Sequence, residues 1–304
     1  MAMTQPAAFS VFSRATAAVG RRLQVLTPGT PKPGSTAAFA ECAARVGYGA
    51  RGFVYVSIGT LIFLSALDLG GRLVGTQGVA VWLAQQPFGR VWLVALGVGL
   101  WAFVGWRILQ SLFDADRDGV SPRALLTRAG QAMSGLFYGL LAAGVFELLD
   151  EVGASMIAED VAENREKAAT LLALPFGDIL LMIVAAVIAG VGVGNVLKGI
   201  RSDFADTLAC SPKWCRRLSG LARAGYVARG LAYMPLAILV GLAGWHASAA
   251  EVTGMAGSFH ALRDQPGGPV LLACAAGLMA FGGFAFVEAR FRRIRAPRSL
   301  NPIT

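Results

Sequence analysis

Six stretches of this 304-residue chain are nearly free of charge, and each approaches the length of a bilayer crossing. They are Gly52–Leu69, Val91–Leu109, Gly130–Phe146, Ile179–Leu197, Gly230–Trp245 and Pro269–Val287. A hydrocarbon core of about 30 Å takes about 20 helical residues at about 1.5 Å each. Ile179–Leu197 holds no charged side chain, while Asp68 and Arg107 stand near the ends of their runs, where a polar group reaches the interface. Hydrocarbon offers the backbone no hydrogen bond, so a crossing is a helix or part of a closed barrel. Barrel strands of about 10 residues alternate in polarity. These runs do not alternate and are rich in Gly, Ala, Leu and Val, so an all-α integral membrane protein with six transmembrane helices is expected. Only 15% of the residues are charged, against about 25% in soluble domains.

The basic residues divide unevenly among the connections. Before the first run, between the second and third (with Arg107 at the end of the second), between the fourth and fifth, and after the sixth lie 22 Lys and Arg; the remaining connections hold 5. The positive-inside rule puts the first set in the cytoplasm. Both termini are then expected in the cytoplasm. Acidic residues lean the other way, 7 against 11, many of them within Glu147–Lys167. This topology accounts for the net charge of +9 without nucleic acid, for which no basic–aromatic module is present. The N-terminus lacks the features of a secretory signal. Ala7–Leu26 reads as a tail or a surface helix, and the "TPGTPKPGST" that follows reads as a linker.

The chain repeats itself three times. "ARVGYGARGFVY" at Ala44–Tyr55 recurs as "ARAGYVARGLAY" at Ala222–Tyr233, with a weaker copy, "TRAGQAMSGLFY", at Thr127–Tyr138. With Arg45, Arg128 and Arg223 aligned, Tyr55, Tyr138 and Tyr233 fall in register, as do Gly47, Gly130 and Gly225, and Gly52, Gly135 and Gly230. A second marker opens each even-numbered helix: "QPFG" at Gln86, "LPFG" at Leu174 and "QPGG" at Gln265. Proline suits the first helical turn, where its missing N–H would be unpaired. Short partly apolar pieces before these prolines, "AVWLAQ", "AATLLA" and "SFHALR", read as short helices on the outer surface.

The expected units are a cytoplasmic tail and linker (1–40), repeats at 41–118, 119–210 and 211–295, and a C-terminal tail (296–304). Two helices per unit restore the starting side. The repeats are therefore parallel, related by an axis along the membrane normal, and form a pseudo-threefold six-helix bundle. The two strong copies of the Arg/Tyr segment and the "QPFG" segments resemble an uncharacterised bacterial membrane family, domain of unknown function family 1206, over about residues 40–295. The middle copy departs from that pattern, with Gln131 in place of Tyr48 and Tyr226, and Ser134 in place of Arg51 and Arg229. The resemblance implies the three-repeat architecture and a bacterial inner-membrane location, and brings no activity.

On a helix Arg45, Tyr48, Gly52 and Tyr55 share one face, bordered by Arg51. Two readings of the segments compete. Arginines at a cytoplasmic helix end anchor it to anionic headgroups, each worth about 1 kcal/mol, and tyrosines belong to the interfacial belt. That reading fits Arg45, Arg128 and Arg223. Arg51 and Arg229 lie nearly two turns deeper, where a guanidinium costs about 2.5–3.5 kcal/mol unless it faces a cavity or partner. With Tyr48, Tyr55, Tyr138, Tyr226 and Tyr233 they form a candidate headgroup or ligand site; a fork-shaped guanidinium suits phosphate and carboxylate. Small residues at Gly135/Gly139 and Gly190/Gly194 are further expected points of close helix packing.

Other motifs carry little. "DADRDG" at Asp114–Gly119 starts like a calcium loop, but Leu125 occupies the position of the bidentate Glu, so a capped turn is expected. His246 and His260 are poorly placed for haem. Cys42, Cys210, Cys215 and Cys274 fall in cytoplasmic segments or inside a helix, so a disulfide framework is not expected, and Cys210/Cys215 lack a second ligand pair for zinc. Glu147 and Glu288 are the deepest acids, each near a helix end. No catalytic constellation, cofactor motif or metal site emerges. The expectation is a non-catalytic membrane protein, structural or lipid-binding, with membrane lipids and a larger membrane complex as partner classes. The alternative is a transporter of a small anionic solute or lipid with an Arg-lined axial cavity.

Overall fold

The computed structural model describes residues 36–150, 156–202, 204–252, 254–264 and 268–294. The expectations for Ala7–Leu26 and for the C-terminal tail lie outside these residues. Among the described residues the chain is helical throughout: α1 (Thr36–Ala66), α2 (Thr76–Ala84), α3 (Gly89–Phe113), α4 (Pro122–Asp150), α5 (Met156–Leu172), α6 (Gly177–Arg201), α7 (Pro212–Trp245), α8 (Gly254–Asp264) and α9 (Gly268–Phe291). Six of them, α1, α3, α4, α6, α7 and α9, are long and apolar enough to cross a membrane. They pair as three repeats, α1/α3, α4/α6 and α7/α9. The first crossing begins earlier than expected, since α1 takes in Thr36–Ala40. Pro235 does not interrupt α7, which runs unbroken from Pro212 to Trp245.

Local chemistry explains the starts of the returning helices. At each "PFG" the phenylalanine turns left-handed, Phe88 at φ 61° and Phe176 at φ 63°. The next residue must be glycine, because a Cβ on Gly89 or Gly177 would collide with the backbone of the preceding short helix. The third copy, at Gly267, lies outside the described residues.

Glycine also sets the spacing of the crossings. A Cβ on Gly47 of α1 would lie 2.5 Å from the Phe103 Cα of α3, and one on Gly225 of α7 would lie 2.5 Å from the Phe281 Cα of α9. Each pair is 56 residues apart, so the first and third repeats close their own hairpins by the same contact. Between repeats, Gly52 meets Gly282, and Gly192 meets Gly230, with backbone within 3 Å of a would-be Cβ. Together with the α3–α4 packing, these contacts order the neighbours as α4, α3, α1, α9, α7 and α6.

The middle repeat is different. Gly130 of α4, and Gly190 and Gly194 of α6, face open space, and no close-packed seam joins α4 to α6 among the described residues. The close packing expected at Gly190/Gly194 is therefore corrected: Gly192, two residues away and so on the opposite side of the helix, makes the contact. Counting from the repeat prolines gives the reason. Phe103 lies 16 residues after Pro87 and Phe281 lies 15 after Pro266, whereas Val191 lies 16 after Pro175. Phe103 contacts Tyr48 and Tyr138 at ring centroid distances of 5.3 and 4.8 Å; Phe281 contacts Tyr226 and Tyr55 at 5.0 and 4.8 Å. With Val191 and Gln131 at the matching places, the middle hairpin has no aromatic wedge to hold it shut.

The three short helices are less superficial than expected. Val79, Ala80, Val81 and Leu83 of α2 are buried, as are Ser258 and Phe259 of α8. The three converge on one end of the bundle, where Gly75 touches Met255 and Gly254 touches Asn164. The disulfide expectation is also corrected: Cys210 and Cys215 are bonded to each other. Their Cα atoms are 5.7 Å apart because the chain bends into α7 at Ser211, so sulfurs five residues apart come together. Cys42 and Cys274 remain free thiols.

Gly225→Leu should lower the stability of the purified protein by about 1–3 kcal/mol or more through overpacking against Phe281. Gly130→Leu, whose added Cβ meets no neighbour, should melt within a degree or two of the unmodified chain. Thermal unfolding in detergent micelles measures both.

Candidate functional site

A cavity of about 1430 Å³ runs between α4 and α6 and into the bundle. At one end the short helices line it through Gln77, Asn164, Met255 and Phe259; at the other lie Arg51, Arg107, Lys198, Arg229, Glu288 and Arg292. Of the ten sequence-derived candidates, Arg51, Tyr55, Tyr226, Arg229 and Tyr233 line this space. Arg45, Tyr48, Arg128, Tyr138 and Arg223 are not among the lining residues.

The first arginine of each segment serves the helix ends. Arg45 donates from Nη1 to the Ala289 and Arg290 carbonyls of α9 (2.8 and 2.9 Å) and pairs with Glu41. Arg128 donates to the Ser111 and Leu112 carbonyls of α3 (2.8 and 3.0 Å). These are final-turn carbonyls with no intrahelical partner, so each guanidinium caps the last helix of the preceding repeat. Arg223 is exposed and forms no such bond among the described residues.

The second arginine goes inward. Arg51 is almost wholly buried and donates from Nη2 to Glu288 Oε2 (3.1 Å). Its guanidinium carbon lies 4.7 Å from the Phe281 ring centroid and 5.5 Å from that of Tyr48. The Tyr55 ring is covered by Arg229 rather than by Arg51, at 5.0 Å. Glu288 is also held by Arg292, which reaches Asp116 (2.9 Å), and Asp116 accepts from Gln110. Burial alone would lower the pKa of Arg292, but Tyr48, Glu288 and Asp116 outweigh it and keep the group firmly protonated. Arg51 is therefore a neutralised member of an internal ion network rather than a free cation. Sequence reasoning singled out Glu288 for its depth but missed Asp116, Gln110 and Arg292 as partners; long-range contacts alone bring them together.

Arg229 is treated differently. It donates from Nη2 to the Tyr233 hydroxyl (3.2 Å) and lies 4.6 Å from the Phe281 ring centroid. It meets no carboxylate among the described residues, and its buried Nε has no partner. The repeat register explains the gap. Glu288 lies 22 residues after Pro266; 23 after Pro87 stands Gln110, and 23 after Pro175 stands Lys198. Each segment faces the last helix of the preceding repeat, so Arg51 meets Glu288, Ser134 lies on the helix packed against the one that carries Gln110, and Arg229 faces the helix that carries Lys198. The third combination carries Arg229 and Lys198 and no acid, with the Lys198 ammonium over the Tyr226 ring, 4.8 Å from its centroid. Beside it the Tyr55 and Tyr233 hydroxyls are 3.4 Å apart, and the Tyr138 hydroxyl approaches Tyr55 without reaching hydrogen-bond distance.

The "DADRDG" segment is a capped turn: Asp114 accepts from the Asp118 and Gly119 amides (2.7 and 3.0 Å). His246 is exposed and bonded to Glu251 (2.7 Å), and His260 is exposed on α8. Among the described residues no cluster of His, Cys, Asp and Glu is arranged to hold a metal.

The family model described as Domain of Unknown Function (DUF1206) matches residues 46–114, 129–202 and 224–292, one segment for each helical hairpin. The chain belongs to the DUF1206 family. A Bacillus subtilis (strain 168) relative, "Uncharacterized protein YxxB", is 26% identical over 254 residues, covering 82% of this chain and 90% of the relative. No solved structure matches the chain. It is a multi-pass membrane protein of a bacterial family built on three repeats.

Two measurements test the ion network. Glu288→Leu should destabilise the protein by about 3–5 kcal/mol, because it strands a buried guanidinium. Arg51→Met combined with Glu288→Leu should cost less than the sum of the single changes in a thermal double-mutant cycle. The Asp118 carboxyl is held above its usual range by burial and by the charges of Asp116 and Asp114. The folded state therefore takes up its proton more readily than the unfolded chain, and ionised Asp118 weakens the fold at neutral pH. Asp118→Asn should raise the melting temperature at pH 7, with the gain shrinking as pH falls through the folded pKa.

Proposed function

We propose that this protein is non-catalytic and holds an anionic group, a phosphate or carboxylate, in its cavity, with Arg229 as the principal cation and Lys198, on the wall of the same cavity, as a second. The observation that carries this reading is the absence of any carboxylate beside Arg229 among the described residues, where the equivalent Arg51 is matched by Glu288. A buried cation without an anion is costly, and an incoming oxyanion supplies the missing charge and accepts from the guanidinium fork. Tyr55 and Tyr233 offer hydroxyl donors alongside it. The concentration of Lys and Arg at the connections on this side supports a cytoplasmic orientation for the site. A second reading, transport of a small anionic solute, draws on the extent of the cavity from the short helices to Arg292.

Dibutyryl phosphatidylglycerol, which is water-soluble, is a suitable probe in detergent-solubilised protein by titration calorimetry. Arg229→Gln should weaken its binding about tenfold or more, equivalent to about 1.4 kcal/mol, and Arg45→Gln should leave it unchanged. Equal affinity in Arg229→Gln and the unmodified protein discards the reading.

A further inference from the structure

The cavity is not closed on the side that faces the bilayer. The ring of crossings is sealed at every neighbouring pair described above except α4 and α6. Their facing residues Met133, Phe137, Val184, Val187 and Val191 line the cavity and are also exposed. α6 is the least covered crossing, with 17% of its apolar window buried against 50% for α1 and α9. Toward the basic end the same slot turns polar, through Gln131, Ser134, Asn195 and Lys198. The Gln131 Oε1 and the Arg107 Nε, both buried and both on lining residues, have no partner, as has the Arg229 Nε.

We infer that the α4–α6 opening is a lateral portal through which a long-chain anionic membrane lipid enters, with its headgroup at Arg229 and Lys198 and an acyl chain along the apolar slot. This deepens the anion-binding reading and rests on it. The occupant follows from what surrounds the opening. A gap between two crossings at hydrocarbon depth is reached by acyl chains, not by a hydrated ion, for which the apolar walls offer no hydrogen bonds. The grading from Val184 and Phe137 to Arg229 matches a molecule that is apolar at one end and anionic at the other. The volume, about 1430 Å³, exceeds the roughly 300–1,000 Å³ of ordinary small-molecule pockets. The sequence of the middle repeat builds the portal: Val191 replaces the aromatic wedge, Gln131 replaces its tyrosine partner, and Gly130, Gly190 and Gly194 keep the walls low.

The glycines give a test that spares the helix seams, since a Cβ added at Gly190 or Gly194 meets nothing within 4 Å. Full-length protein is reconstituted in nanodiscs of phosphatidylglycerol and phosphatidylcholine, and the lipid retained on release into detergent is read by native mass spectrometry. The unmodified protein should retain phosphatidylglycerol over phosphatidylcholine. Gly190→Leu combined with Gly194→Leu should cut that retention about fivefold or more while dibutyryl phosphatidylglycerol still binds. Gly130→Leu on the opposite wall serves the same purpose should the double variant melt early. Undiminished retention in folded portal variants overturns the portal but leaves the anion site standing. Binding of the short-chain probe without retention of long-chain lipid makes the occupant a soluble anion and overturns the lipid assignment. Binding of neither probe by the unmodified protein removes both readings.

Discussion

A guanidinium in hydrocarbon must be surrounded by protein, and this requirement organises the bundle. The second arginine of each strong Arg/Tyr segment lies within a crossing, so the fold turns it inward and finds it company. For Arg51 the company is Glu288, which is shared with Arg292 and tied through Asp116 to Gln110. That chain of contacts joins α1, α3, the α3–α4 connection and the end of α9, and so fastens the first repeat to the last. For Arg229 the company is aromatic and phenolic only. Rings moderate the cost of a buried cation, but a cation–π contact is worth about 0.5–2 kcal/mol, far less than a full counter-charge.

Triplication makes such differences easy to interpret. The same position in the repeat carries Glu288, Gln110 and Lys198 in the three hairpins, and the second-arginine position carries Arg51, Ser134 and Arg229. One pairing is neutral by ion pair, one is neutral by having no charges, and one is doubly positive. A strictly symmetric bundle would place like charges around its axis and repel itself. Divergence among the repeats removes that repulsion at two of the three places and leaves the third as the electropositive one. The same divergence weakens one seam, and α6, which carries Lys198, is a wall of that seam.

Much of the architecture was legible in the chain. The solvent dictates helix length and excludes bare backbone, so the crossings followed from apolar runs alone. Register between the repeats followed from Arg45, Arg128 and Arg223 and from the prolines. The helix-capping role of Arg45 and Arg128 was not legible, because the carbonyls that accept from them belong to helices of another repeat or of the preceding hairpin. The ion network was not legible, because Arg51 and Glu288 are 237 residues apart and no local pattern relates them. The Cys210–Cys215 bond was missed because compartment chemistry argued against it, while the bend at Ser211 brings the two residues together.

By itself, then, the sequence determined the number of crossings, their repeat order and the depth of the charged side chains, since these depend on composition and spacing along one dimension. Tertiary structure decided which arginine is neutralised, which glycines carry contacts and where the ring of helices stays open. Gly190 and Gly192 are indistinguishable as letters. One faces a void and the other faces Gly230, because only packing against a neighbour fixes the direction in which a helix presents each residue.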